Sequence, residues 1–141
     1  MDIGVAFALE LVRVSRRWRA RLDERVRHTG LTQARWIALL ELSRSGPVSQ
    51  RELAAKIGIE GPTVVRLLDA LEKRGLAERR SCDGDRRVNQ IHLTQAAQPL
   101  LQEITAISDN LRDEILADIS ADDLAAAHRV LSRIGDQLER R

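Results

Sequence analysis

A mainly helical α+β fold, with helices packed around one short β-hairpin, is what this sequence predicts, and three observations predict it. Apolar residues recur at three- and four-residue spacing through most of the chain, which is the period of an amphipathic helix. Only residues 77–81 and 88–93 read as strands, the second by a clean alternation that puts Ile91 and Leu93 on one face. Capping and turn residues stand at the joints between these runs. The resulting order is ααα-α-ββ-αα over 141 residues, a length that suits a single compact domain.

Each element has a local cause. The first helix covers residues 5–28, with Val5, Leu9, Val12, Trp18, Leu22 and Val26 as its stripe and Thr29-Gly30 as its stop. Thr32 can cap a second helix carrying Trp36, Ile37 and Leu40, which ends at Gly46-Pro47. Ser49 with Glu52 three residues on is a capping box, so a short third helix starts there and packs Leu53, Ala54 and Ile57. Gly58 follows where a left-handed residue closes a helix. Pro62 opens a fourth helix, at a position where its missing N–H costs nothing. Val64, Leu68 and Leu71 line one face of that helix, and Gly75 ends it. Cys82-Asp83-Gly84-Asp85 supplies turn chemistry between the strands. Thr94 then caps a long helix with Leu100, Ile104, Ile107, Leu111 and Ile115 on its stripe. Ser120, with Asp123 three residues on, caps a last helix bearing Leu124, Leu131, Ile134 and Leu138.

Composition narrows the class of function. The 23 basic residues are 21 Arg and 2 Lys, a bias compatible with nucleic acid because the guanidinium fork suits phosphates and base edges. GC-rich coding gives the same bias, and the net charge of +2 leaves any basic surface to the placement of charges. Cys82 is the single cysteine, so no intramolecular disulfide forms and a reducing compartment fits. No apolar run approaches the ~20 residues of a membrane span. Residues 1–10 carry two carboxylates and no basic residue, which reads against a secretory leader. A cytoplasmic protein with no membrane partner is expected.

Catalytic and metal chemistry find no footing. His28, His92 and His128 are scattered without ligand spacing. Asp122-Asp123 sits at a helix N-terminus, where negative charge is favoured in any case, and the turn explains Asp83 and Asp85. No nucleophile elbow is present, and the 8 glycines are dispersed rather than gathered into a phosphate loop. No enzyme, cofactor or metal is therefore expected.

The middle third carries the function. Two helices joined by a tight turn, at about 49–72, make a helix-turn-helix, and the hairpin at about 77–93 follows as a wing. A DNA major groove admits one helix whose inner face locks into a core while its outer face offers polar and basic groups. The second helix of the motif has that division, with Val64, Leu68 and Leu71 inward and Thr63 and Arg66 outward near its N-terminus. The hairpin adds Arg79, Arg80, Arg86 and Arg87, and a ribbon tip can place an arginine in a flanking minor groove. Asp85 can orient Arg87 by a bidentate pair. Taken singly, these arginines also read as a solvated turn.

The stretch SQRELAAKIGIEGPTVVRLLDALEKRGLAERRSCDGDRRVNQIHLT, residues 49–94, resembles the MarR family of winged helix-turn-helix regulators, and is most similar to its SlyA-like branch. The resemblance extends to LTQARW at 31–36 and AAQPLL at 96–101, about 120 of the 141 residues. It implies a DNA-binding core over 31–94 within one domain of residues 1–141, and no enzymatic activity. It implies DNA contacts from Ser49, Gln50 and Arg51, then from Gly61, Pro62, Thr63, Val65 and Arg66 at the start of the recognition helix. On the wing it implies Arg80, Ser81, Asp85, Arg86 and Arg87, the last being the minor-groove arginine. Gly61 stands where members often carry a small polar residue or glutamine. The resemblance further implies a homodimer on a pseudo-palindromic operator, built from residues 5–28 and 95–139 through Leu9, Val12, Leu111, Ile115, Leu124, Leu131, Ile134 and Leu138. The apolar stripes of these terminal helices exceed what a small winged core can cover, and a helical lid folded back within the monomer is the alternative.

Three further features have two readings each. Trp18 and Trp36 are plain core, or with Leu22 they line a cavity for a small aromatic carboxylate, the effector class the resemblance implies, with Arg16, Arg17 or Arg35 to pair with it. Cys82 is an inert turn residue or, beside four arginines that lower a thiol pKa, a redox sensor. The winged helix binds duplex DNA, or it serves as a protein-interaction module.

Overall fold

A computed structural model describes residues 1–82 and 85–140; the side chains of residues 82 and 85–88 fall outside the description. Helix α1 (Ile3–Val26) leads through a single 3-10 turn (Arg27–Thr29) into α2 (Gln33–Ser45). A two-residue strand β1 (Val48–Ser49) precedes α3 (Gln50–Ile57) and α4 (Gly61–Lys73). The hairpin β2 (Ala77–Cys82) and β3 (Asp85–Leu93) follows, then α5 (Gln98–Leu116) and α6 (Ala121–Glu139). This is the mainly helical winged-helix arrangement that the sequence predicts.

The local chemistry of the helix-turn-helix is visible atom by atom. Ser49 Oγ accepts the Glu52 N–H at 3.1 Å, and Glu52 Oε1 accepts the Ser49 N–H at 3.4 Å. Gly58 adopts φ 71° and ψ 36°, and the Ile59 N–H reaches back to the Ala54 carbonyl at 3.0 Å. Only glycine takes that conformation without crowding its Cβ, so the turn into α4 is tight. Removing the Ser49 hydroxyl leaves an N-terminal N–H of α3 without its acceptor. The Ser49→Ala protein is expected to lose about 1 kcal/mol of stability, read as a lower urea midpoint with unchanged slope. A midpoint equal to that of the native protein would show that the cap contributes nothing.

The sheet is antiparallel in the order β1-β3-β2, so β3 is the central strand. Val48 faces Ile91 across one ladder, and Ala77 and Arg79 face Leu93 and Ile91 across the other. The third strand is a departure from the two that the sequence predicts. Two residues after Pro47 have no alternation to reveal them, and they become a strand only because β3 offers an open edge. The hairpin strands are also longer than expected, with Cys82 pairing Asp85.

Two capping expectations change. Thr32 holds the N-cap position of α2, but its side chain caps nothing. Thr94 precedes a 3-10 turn (Gln95–Ala97) rather than the long helix itself. Its hydroxyl donates to the Gly75 carbonyl and its N–H to the Leu76 carbonyl at 3.1 Å, so it bolts the end of β3 to the end of α4.

The chain divides into two compact units, residues 1–108 and 109–141. In the first, Leu39, Leu42, Leu53, Val64, Leu68, Leu71 and Ile91 are fully buried and form the core beneath α4. The His28 imidazole meets Glu103, which ties the turn after α1 to α5. On α1, the Arg13 guanidinium holds the Glu10 carboxyl below its usual range, chiefly by a direct hydrogen bond. In the second unit, Ser120 Oγ accepts the Asp123 N–H at 3.1 Å to start α6, a helix with no buried residue among those described. Among the described residues, no helix is long and apolar enough to cross a membrane.

Candidate nucleic-acid interface

Helix α4 keeps the two-faced character on which the interface depends. Val64, Leu67, Leu68 and Leu71 are buried, while Gly61, Pro62, Thr63 and Arg66 are exposed at its N-terminal half. Val65 lies on the outer side with 39% of its surface free. On α3, Leu53 anchors the helix and Arg51 is exposed; Ser49 and Gln50 are half-buried at its start. No hydrogen bond or ion pair to another described residue engages Arg51 or Arg66. Two guanidiniums, a helix N-terminus with open N–H groups and small side chains around it can together accept phosphate and reach a base edge.

The hairpin separates its arginines by strand parity. Successive side chains of a strand point to opposite faces, so buried Ala77 and Arg79 share the inner face while Glu78 and Arg80 share the outer. Arg80 is exposed, pairs with Glu78 and approaches His92 Nδ1 at 3.4 Å. Ser81 is exposed beside it. Arg79 departs from the expectation of four wing arginines facing solvent. Its side chain is 21% exposed, and its Nη1 meets Asp69 at 3.0 Å and Glu72 at 3.2 Å. Its Nη2 donates to the Val65 carbonyl at 3.3 Å, and its Nε to Gln50 Oε1 at 3.4 Å. Its backbone N–H donates to Glu72 at 3.0 Å. One side chain thus joins α3, α4 and the wing. The expectations for Asp83 and Gly84, and those for the side chains of Cys82, Asp85, Arg86 and Arg87, lie outside the described residues.

The residues expected to form an effector cavity differ in their exposure. Trp36 is core, 3% exposed, and its indole N–H donates to Asp23 at 3.2 Å. Leu22 is buried, Trp18 and Arg35 are half-buried, and Arg17 is exposed. An open groove of about 690 Å³ runs beside α1, lined by Leu11, Val12, Ser15, Arg16 and Arg19 with Gln33 of α2. Among the residues expected at a dimer interface, Leu9, Val12, Ile115, Leu124, Leu131 and Leu138 are exposed and Ile134 is half-buried. Leu111 is buried.

Known proteins share this architecture. A sequence model described as MarR family matches residues 29–88, the span from the end of the turn after α1 into the wing. The crystal structure of a transcriptional regulator, PA3341, is 46% identical, with a TM-score of 0.91 over 96% of this chain and 99% of that one. A MarR-family transcriptional regulator from Silicibacter pomeroyi is 23% identical, with a TM-score of 0.83 over 93% of this chain and 88% of that one. A cysteine-to-serine mutant of MarR from E. coli, solved in complex with operator DNA, is 19% identical, with a TM-score of 0.80 over 92% and 94% of the two chains. The last two likenesses are of fold.

Proposed function

Because the chain belongs to the MarR family of DNA-binding transcriptional regulators, we propose that it acts as a cytoplasmic homodimer that reads a pseudo-palindromic operator, in the manner of the SlyA-like branch. The observation that carries the reading is the start of α4, where exposed Thr63 and Arg66, the latter without a hydrogen bond or ion pair among the described residues, stand over a fully buried Val64 and Leu68. Arg66 reads a base edge in the major groove, and Arg51 with the α3 N-terminus holds the phosphates that fix register. Arg80, Ser81, Arg86 and Arg87 place the wing along the flanking minor groove, with Asp85 orienting Arg87. Residues 31–94 form the DNA-binding core, and residues 5–28 and 95–139 the dimer helices.

Exposed apolar surface supports the dimer. Leu9 is 58% exposed on α1 and Leu138 is 79% exposed on α6. Apolar stripes of that extent mark an association surface. A self-associating pair of winged units also explains how two recognition helices would meet successive major grooves, about 34 Å apart. Light scattering on the protein alone, followed by selection from a randomised duplex library, tests both parts. The expected results are twice the chain mass and an inverted repeat among the retained duplexes. A monomer that retains a single unrepeated motif would contradict the proposal.

We also assign the effector class to small aromatic carboxylates, with the α1 groove as the site. Arg16 and Arg19 stand there beside Leu11 and Val12, a cationic edge on an apolar floor. A ligand acts only through its different affinity for the DNA-competent and DNA-incompetent states. Benzoate-type acids at millimolar concentration are expected to weaken DNA binding. Equal affinity with and without them would remove the assignment and leave the DNA reading intact.

A further inference from the structure

We infer that the groove beside α1 selects a ligand with two separate carboxylates, one held by Arg16 and the other by Arg19. The inference rests on the effector reading above and adds to it the charge that the groove requires. A benzoate-type acid carries one negative charge and needs one cation. The groove offers two, both exposed and one helical turn apart on α1.

The sequence around each arginine explains why its charge is left unanswered. Elsewhere on this helix the answer is local, since Arg13 pairs with Glu10, three residues before it. Side chains three and four positions apart are the neighbours on a helix surface. For Arg16 those positions hold Val12, Arg13, Arg19 and Ala20, so the helix supplies no carboxylate. For Arg19 they hold Ser15, Arg16, Leu22 and Asp23. Asp23 is the one acid in register, and the bond it makes is to the Trp36 indole N–H of α2, at 3.2 Å. Among the described residues no hydrogen bond or ion pair engages Arg16 or Arg19, and no acidic residue lines the groove.

Two like charges one turn apart repel, so a monoanion answers half of the site and a dianion answers all of it. Their Cβ atoms lie about 5–6 Å apart, the usual separation of helical neighbours. A benzene ring with carboxylates on opposite carbons spans a comparable distance. Each carboxylate suits a guanidinium, whose planar fork donates two parallel N–H bonds. Leu11, Val12 and Ala20 give the ring its apolar floor, and Ser15 and Gln33 offer neutral donors to the remaining carboxylate oxygens. At about 690 Å³ the groove admits such a molecule whole.

The test is a calorimetric titration of the protein with terephthalate and with its monomethyl ester, at matched ionic strength. The pair differs by one charge on the same ring. The native protein is expected to bind the dicarboxylate at least about tenfold more tightly, the gain from one further hydrogen-bonded ion pair. Arg16→Met and Arg19→Met each keep an apolar stem and a good helix former at an exposed position, so the fold is retained. In either variant terephthalate should bind no more tightly than the monoester, and the monoester should lose little because one guanidinium remains. Equal affinities in the native protein would overturn the two-charge inference and leave a single-carboxylate effector standing. A preference that survives in both variants would overturn it as well, by placing the second cation elsewhere. If terephthalate, its ester and benzoate all fail to bind, the groove assignment falls with the inference, and the DNA reading stands.

Discussion

The Arg79→Ala protein should bind every duplex at least about tenfold more weakly, although Arg79 is not placed against DNA. Its guanidinium links Gln50 on α3, Val65 and Asp69 on α4, and its own strand of the wing. Cutting it leaves three reading elements that must be ordered again when DNA binds, at about 0.5–1.5 kcal/mol for each side chain so immobilised. Stability should fall as well, by roughly 1–2 kcal/mol, because Asp69 and Glu72 lose their counter-charge but remain partly solvated. The separation of effects is what matters. A direct phosphate contact, made by both protomers, would lower the salt slope by about two, whereas loss of a positioning residue leaves the slope unchanged. Calorimetric melting and fluorescence anisotropy on one protein preparation check both numbers. A reduced slope with undiminished stability would return Arg79 to the set of phosphate contacts.

Arg66→Ala should behave in the opposite way. The side chain is exposed and makes no hydrogen bond or ion pair with another described residue, so its removal should leave stability within about 0.5 kcal/mol of native. On a duplex selected by the native protein, affinity should fall by roughly 1–3 kcal/mol for each half-site, with relaxed preference at one base pair in each. Repeating the selection with the variant is the check. A uniform loss that leaves the selected motif unchanged would make Arg66 a phosphate contact and move base recognition elsewhere on α4.

The sequence was most legible where local chemistry decides the backbone. The capping box at Ser49 and Glu52, the left-handed Gly58 and the helix opening at Pro62 together fix the helix-turn-helix, and each depends on residues within a few positions. The inward face of α4 followed from spacing alone. Features set by distant partners were not legible. β1 exists because β3 lends it an edge, and Thr94 bonds to Gly75 across the end of the sheet rather than capping a helix. Trp36 resolved in favour of core because Asp23 on the preceding helix satisfies its N–H.

Arg79 and Arg80 mark the boundary within the site itself. As neighbours in a run of charge they look equivalent, and composition cannot part them. Parity can, because Ala77 is the small apolar residue that belongs inside, and Arg79 lies two positions on. Asp69 and Glu72, three residues apart on α4, are the complementary signal, an acidic pair on one helix face awaiting a buried-side cation. Reading the strand's face before reading its charge would have separated the structural arginine from the exposed one.

The central claim is that this winged domain holds DNA through phosphates contacted by two protomers at once. Equilibrium binding of the native protein to a selected duplex, between 50 and 200 mM salt, tests it most directly. With 6–10 phosphate contacts, affinity should fall by about 10³–10⁵ across that range, along a straight line of log affinity against log salt. An affinity that stays level across the range, or no binding at the lowest salt, would contradict the account and leave the fold as a platform for protein partners instead.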